Sequence, residues 1–379
     1  MIRASLRLCR RLFSGRVPAS PSHENPVLIS TSPALAELVK RIAPLDRLGL
    51  DTEADSLHCY REKLCLIQVG LPDDDLLVDP LAALDLSPLF RVLSKKEVIF
   101  HGADYDLRML HRAGHTDAGK IFDTMIAARL TGAEEFSYSA LVARHFNVTL
   151  TKGSQKANWA LRPLPPTMEQ YARNDTRYLL PLAEKLGKQL EKMGRTAWFE
   201  QSCERAVAVS RIVRERDNEN AWRITGSSAL EPRAGAVLRA LWQWREQEAG
   251  AVDRPTFHIL RNEELVDAAQ RFHRGEAVHV RHLRGGREKR FFEASEKAMQ
   301  LDESQWPQRV RGTRLRMTPA QEKRLAELKK KRDQAAEKIG LDPSLVAARA
   351  TLEQLAVDSE TAGERLLPWQ RELLGIADA

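Results

Sequence analysis

Between about residues 27 and 110 the chain alternates short apolar runs with charged or proline-containing turns: RLGLDTEA, LCLIQVGL, DLLVDP and EVIFHGA. Runs of this length, bounded this way, predict β-strands. The first three lie so close together that only hairpin connections fit between them, which predicts an antiparallel meander. The period then lengthens to helical in DLRMLHRAG, TMIAARLTG and YSALVARHFN, each ending near Gly or Asn, where helices commonly stop. Strands followed by helices form an α/β layer. TKGSQKANWALRPLPPT, rich in turn residues, reads as a loop. Behind it, MEQYARNDTRYLLPLAEKLGKQLEKM reads as one long amphipathic helix.

Polar and turn residues gather again in DNENAWRITGSSALEP (217–232), which marks a domain boundary, with a second domain beginning near 229. Past it the chain repeats at an offset of 87 residues: LRALWQWREQEAG lies over LAELKKKRDQAAE, matching Leu238 to Leu325, Leu241 to Leu328 and Arg245 to Arg332. Two similar helical modules are the economical reading. The expected division is a basic extension over 1–26, an α/β domain over 27–216, and all-α modules over 229–305 and 315–379. A fragment ending near 225 is then expected to keep a core of its own.

With 43% apolar and 29% charged residues in 379, the composition is that of a globular protein of two or three domains. No apolar run approaches the ~20 residues needed to cross a bilayer, so no membrane partner is expected. Lys and Arg outnumber Asp and Glu by 59 to 52, an excess that permits a polyanionic partner without showing one. Cys9, Cys59, Cys65 and Cys203 form no CxxC pair, so reduced thiols in a reducing compartment are expected rather than disulfides or structural zinc. Five arginines and no acid in the first 23 residues give the composition of a mitochondrial transit peptide. A basic extension on a cytoplasmic bacterial protein is the simpler alternative and is preferred.

Candidate chemistry begins with Asp51 and Glu53, which share one face of the strand RLGLDTEA because strand side chains alternate. Two such carboxylates repel unless a cation joins them, and magnesium prefers one or two carboxylates plus water and a substrate phosphate. An isolated DxE is most often a solvated turn; two further acidic sites change the weighing. Asp104 and Asp106 stand where a strand gives way to a helix in FHGADYDLRML, and Tyr171 and Asp175 lie four apart on one helix face. Asp55 and Asp123 are decoys, Asp123 in FDTMIAA reading as a helix N-cap.

In this order the motifs Asp51-Thr52-Glu53, Tyr105-Asp106 and Tyr171-Ala-Arg-Asn-Asp175 resemble the DEDDy 3′–5′ exonucleases, and more closely the ribonuclease D family. SQKANWALRPL resembles that family's SQRSDW…RPL segment, with Lys156 and Asn158 where Arg and Asp are usual. Residues 229–300 resemble an HRDC nucleic-acid-binding domain. The resemblance implies a ribonuclease H-like fold, a mixed sheet flanked by helices, with all-α HRDC-like modules after it. It also implies two divalent ions, magnesium or manganese, clamping a scissile phosphate. Asp51 would bridge both, Glu53 and Asp175 would complete the first site, and Asp106 would support the second. The Tyr171 hydroxyl would orient the attacking water, because an unperturbed phenol near pKa ~10 is a poor base at neutral pH. Asp106 is preferred to Asp104 on the aromatic-Asp pattern.

Basic clusters at 281–290, 309–316 and 329–332 offer phosphate contacts. Trp242 and Trp244 offer stacking surfaces, although at helical spacing beside Leu238 and Leu241 at least one belongs to a core. The function expected is a monomeric 3′–5′ exoribonuclease that releases nucleoside 5′-monophosphates and trims structured RNA precursors such as tRNA. Its partner is RNA with a free 3′ end. The alternatives are a 3′–5′ DNA exonuclease acting on single-stranded DNA as partner, since nothing identified reads the 2′-hydroxyl, and an inactive nucleic-acid-binding scaffold. The intact set of acids argues against the scaffold.

Overall fold

The computed structural model describes residues 28–151, 153–212, 217, 219–309, 317–358 and 364–376. The basic extension and most of the 309–316 cluster fall outside them. Residues 28–54, 64–212 and 317–376 group in one compact unit; 55–63 and 217–309 group in another.

The first unit is built on a six-stranded mixed sheet of order β1-β4-β3-β2-β5-β6. Its strands are β1 (Leu28–Ile29), β2 (Arg47–Ala54), β3 (Leu64–Gly70), β4 (Asp75–Val78), β5 (Glu97–Phe100) and β6 (Lys120–Asp123). The expected meander is β2–β3–β4, antiparallel throughout. β5 and β6 add in parallel on the other side of β2. Both central strands are buried along most of their length, Leu48, Leu50, Ile67 and Val69 being fully enclosed.

Helices α1 (Ser32–Ile42) and α2 (Ser87–Leu93) lie in the stretch read as strands and turns, whereas α3 (Asp104–Arg112), α4 (Thr124–Leu130) and α5 (Tyr138–Phe146) follow the apolar periods. The long helix expected after the loop is two, α6 (Pro166–Arg177) and α7 (Leu179–Lys192), then α8 (Thr196–Ser210). The break has a covalent cause: Pro181 has no amide for the carbonyl of Arg177, and its ring would collide with that carbonyl.

The two modules repeat in structure as well as in sequence. One consists of α9 (Pro232–Ala251), α10 (Thr256–Ile259), α11 (Asn262–Arg274) and α12 (Gly285–Met299). The other consists of α13 (Pro319–Ile339), α14 (Pro343–Val346), α15 (Arg349–Val357) and α16 (Pro368–Leu374). The first three helices of each begin at residues 87 apart. The same bond recurs too: Arg245 donates to the carbonyl of Leu260, and Arg332 to that of Ala347.

In the first module Trp242 and Trp244 are both buried, with Phe291 edge-on to Trp244. In the basic segment before and within α12, Arg287 and Arg290 bind the buried Glu248. The β2–β3 connection groups with this module, Tyr60 donating to Glu246 and Asp253.

The second module shares the core of the sheet. Leu328, Ala336, Val346 and Trp369 belong to the same apolar cluster as Phe122 and Leu186. Trp369 stacks on Trp198 at 5.0 Å, and Arg195 donates to the carbonyls of both Leu130 and Ile339. This revises the expectation for a fragment ending near 225, which would strip those side chains and expose the surface beneath. Loss of several buried large side chains, each worth about 2–5 kcal/mol, is comparable with the whole stability of a domain. The fragment should show no cooperative melting transition by calorimetry at 25 °C and above; a transition within a few degrees of the full chain's would contradict this.

Candidate active site

β2 pairs with β5 only over Arg47–Gly49, so its remaining residues run past the end of that neighbour. Asp51 and Glu53 sit on this overhang, backed on the other side by β3. The chain leaving β5 turns at Gly102 into α3. The Asp123 carboxylate holds that turn, accepting from the amides of Gly102 (3.0 Å) and Ala103 (2.8 Å) while capping α4 through Met125 and Ile126. Asp123 is therefore the N-cap expected from sequence and also fixes the start of the helix that carries Asp106. Asp106, in the first turn of α3, is buried and accepts from Thr52 Oγ1 at 2.6 Å. Asp104 is exposed and pairs with Arg108 one turn on. Asp55 pairs with Lys63.

Asp175 arrives from α6, which lies unusually close to the sheet. A Cβ added at Gly70 would stand 2.9 Å from Thr176 Cβ and 3.0 Å from its carbonyl oxygen, and one at Gly49 would stand 3.2 Å from Leu179. Only glycine lets the helix settle at that depth. One carboxylate oxygen from each of Asp51, Glu53 and Asp175 consequently lies within 4.8 Å of the others. Asp106 is outside that trio but near enough for its charge to act on Glu53 and Asp175.

The donors at these acids are neutral ones. Gln68 Nε2, opposite Asp51 on β3, donates to Asp51 at 3.2 Å, and Tyr171 hydrogen-bonds Asp175. Burial, then repulsion from Asp175, raises Asp51 to about 8. Burial and the other three acids raise Glu53 to about 10. Asp175 rises to about 7 through burial and Asp106, and Asp106 stands well above its ordinary value for the same kind of reason. So dense a set of buried acids has no counter-charge from these neutral donors, and an all-oxygen cluster suits a hard divalent cation such as magnesium or manganese.

Tyr171 lies one turn before Asp175. Burial and the charges of Asp175, Glu53 and Asp51 push its phenol above the ordinary value, so it keeps its proton at neutral pH. Gln155 hydrogen-bonds the phenol, and the fully buried Trp159 packs against the ring at 6.0 Å. Arg162 anchors this loop, with two bonds to Asp79 and one each to the carbonyls of Cys65 and Trp159. Thr52, Gln68 and Gln155 were given no role from sequence. Gln68 alone carried a signal, as a polar residue inside the apolar run LCLIQVG.

This arrangement is that of a known class. Residues 26–191 match the 3′–5′ exonuclease family model, and residues 234–276 match the HRDC domain model. Ribonuclease D of Zymomonas mobilis is 36% identical over 296 residues, covering 74% of this chain and 75% of that one. Ribonuclease D of Sphingobium indicum is 34% identical over 247 residues, and the chain spans 63% of its length. The crystal structure of Escherichia coli RNase D, described as an exoribonuclease involved in structured RNA processing, superposes with a TM-score of 0.69 at 26% identity, covering 93% of this chain and 96% of that one. The chain belongs to the ribonuclease D family.

Proposed function

We propose that the chain is a metal-dependent 3′–5′ exoribonuclease that removes nucleoside 5′-monophosphates from structured RNA precursors such as tRNA, working as a monomer in the cytoplasm. The observation that carries this reading is the convergence of Asp51, Glu53 and Asp175 to within 4.8 Å on a family-matched exonuclease sheet. Two divalent ions bound there would supply a Lewis acid and an activated water for in-line displacement at phosphorus. Asp51 would hold both ions, Glu53 and Asp175 would complete one site, and Asp106 would support the other. Tyr171, protonated and fixed by Asp175 and Gln155, would orient the water rather than deprotonate it. Trp159 and Arg162 keep that phenol in place.

The family resemblance of the HRDC module supports nucleic acid as the partner, held by the basic segment before and within α12 while the acids cut the end. The choice of RNA over DNA rests on the ribonuclease D relatives. It is tested with RNA and DNA oligonucleotides of one sequence, each with a free 3′-hydroxyl, by chromatography of the products. RNA should yield nucleoside 5′-monophosphates at least ~10-fold faster than DNA, a gap equivalent to about 1.4 kcal/mol. Equal rates, or 3′-monophosphates as product, would contradict the proposal.

A further inference from the structure

Tyr138, at the start of α5, lies in none of the three acidic motifs. Its hydroxyl donates to the carbonyl of Asn174 at 3.2 Å and accepts from the amide of Tyr178 at 3.0 Å. Those two backbone groups are four residues apart and would bond each other in an uninterrupted α-helix. The phenol oxygen therefore stands inside a helix hydrogen bond, one of the recognised causes of a sharp break. Pro181 supplies the second half of the same break by leaving Arg177 without its amide partner. The turn propped open in this way begins with Asp175 and continues into Thr176, the residue seated on Gly70.

The phenol is itself held. His101 packs on its ring at 5.4 Å, and His101 Nδ1 meets Thr124 Oγ1 at 2.9 Å. Thr124 donates its hydroxyl hydrogen to the carbonyl of Phe100, so His101 donates from Nδ1. A chain of contacts thus runs from the end of β5 through His101 and Tyr138 to the backbone beside Asp175.

We propose that Tyr138 is a positioning residue for Asp175: its inserted hydroxyl fixes the α6–α7 break so that Asp175 reaches Asp51 and Glu53. Without the hydroxyl, Asn174 and Tyr178 close their own bond, the break narrows to the part that Pro181 holds, and Asp175 withdraws. This rests on reading the acidic trio as a divalent-ion site, and the test separates the two. Mn2+ binding to the full chain, measured by calorimetry without RNA, should weaken by about tenfold or more in Asp175→Asn. If it does not, the metal site itself is misassigned and the role of Tyr138 falls with it.

If it does, Tyr138→Phe should weaken Mn2+ binding by ~3- to 10-fold, and the double variant should bind no more weakly than Asp175→Asn alone, because the two substitutions act through one carboxylate. Should Tyr138→Phe fail to fold, Tyr138→Met, which also lacks a hydroxyl, takes its place in the same titration. Wild-type affinity in the Tyr138 variant, or an equal additional loss in the Asp175→Asn background, would overturn the proposal and leave the metal site standing.

Discussion

Asp51→Asn is expected to lower RNA hydrolysis by ~10²- to 10³-fold or more, the range found when one preorganised electrostatic contact is lost, while the protein still folds and binds RNA. The same substitution should show in the metal-free protein. An acid whose pKa is raised in the folded state holds a proton that the unfolded chain releases. Its contribution to stability is therefore present at acid pH and lost as pH rises toward its folded value. For Asp51 that window runs from about 4, the unfolded value, to about 8. Melting temperatures in EDTA should fall from pH 5 to pH 8 in the wild type and fall less in Asp51→Asn. Parallel curves would mean that Asp51 is not buried among like charges, and undiminished turnover at saturating magnesium would remove it from the site.

Tyr171→Phe keeps the ring against Trp159 and removes only the hydroxyl that joins Asp175 to Gln155. The kcat should fall by ~10²-fold with KM within about twofold, the pattern of an interaction made in the transition state. Because burial and three carboxylates hold the phenol above its ordinary pKa, the wild-type pH–rate profile should show no limb from this group below pH 10. A fall in affinity with kcat unchanged would make Tyr171 a substrate contact instead.

The carboxylates were legible in the sequence because their information is local: a two-residue spacing on a strand, an aromatic-Asp pair at a helix start and a four-residue spacing on a helix. What brings them together was not. The approach of Asp175 to Asp51 depends on Gly49 and Gly70 lying beneath Thr176 and Leu179, which are more than a hundred residues away in sequence. The break that aims it depends on a hydroxyl from another helix. Apolar periodicity continues smoothly through Tyr178, so the pattern reads one helix where Pro181 and Tyr138 make two.

β6 escaped notice for a different reason. KIFD is four residues long and pairs with β5 across an intervening helix, so neither its length nor a hairpin turn announces it. The repeat at 319–357 declared its own apolar face through Leu328 and Ala336, but a face does not name what covers it. Here the cover is the exonuclease core, with Trp369 on Trp198.

The most direct test of 3′–5′ hydrolysis at this site is a time course of the full chain on one single-stranded RNA labelled at either end, with magnesium or with EDTA. With magnesium, the 3′-labelled strand should release labelled mononucleotide from the first time point, while the 5′-labelled strand shortens one nucleotide at a time; EDTA should stop both. Internal fragments at early times, mononucleotide released first from the 5′ label, or undiminished cleavage in EDTA would contradict a metal-dependent 3′–5′ exonuclease.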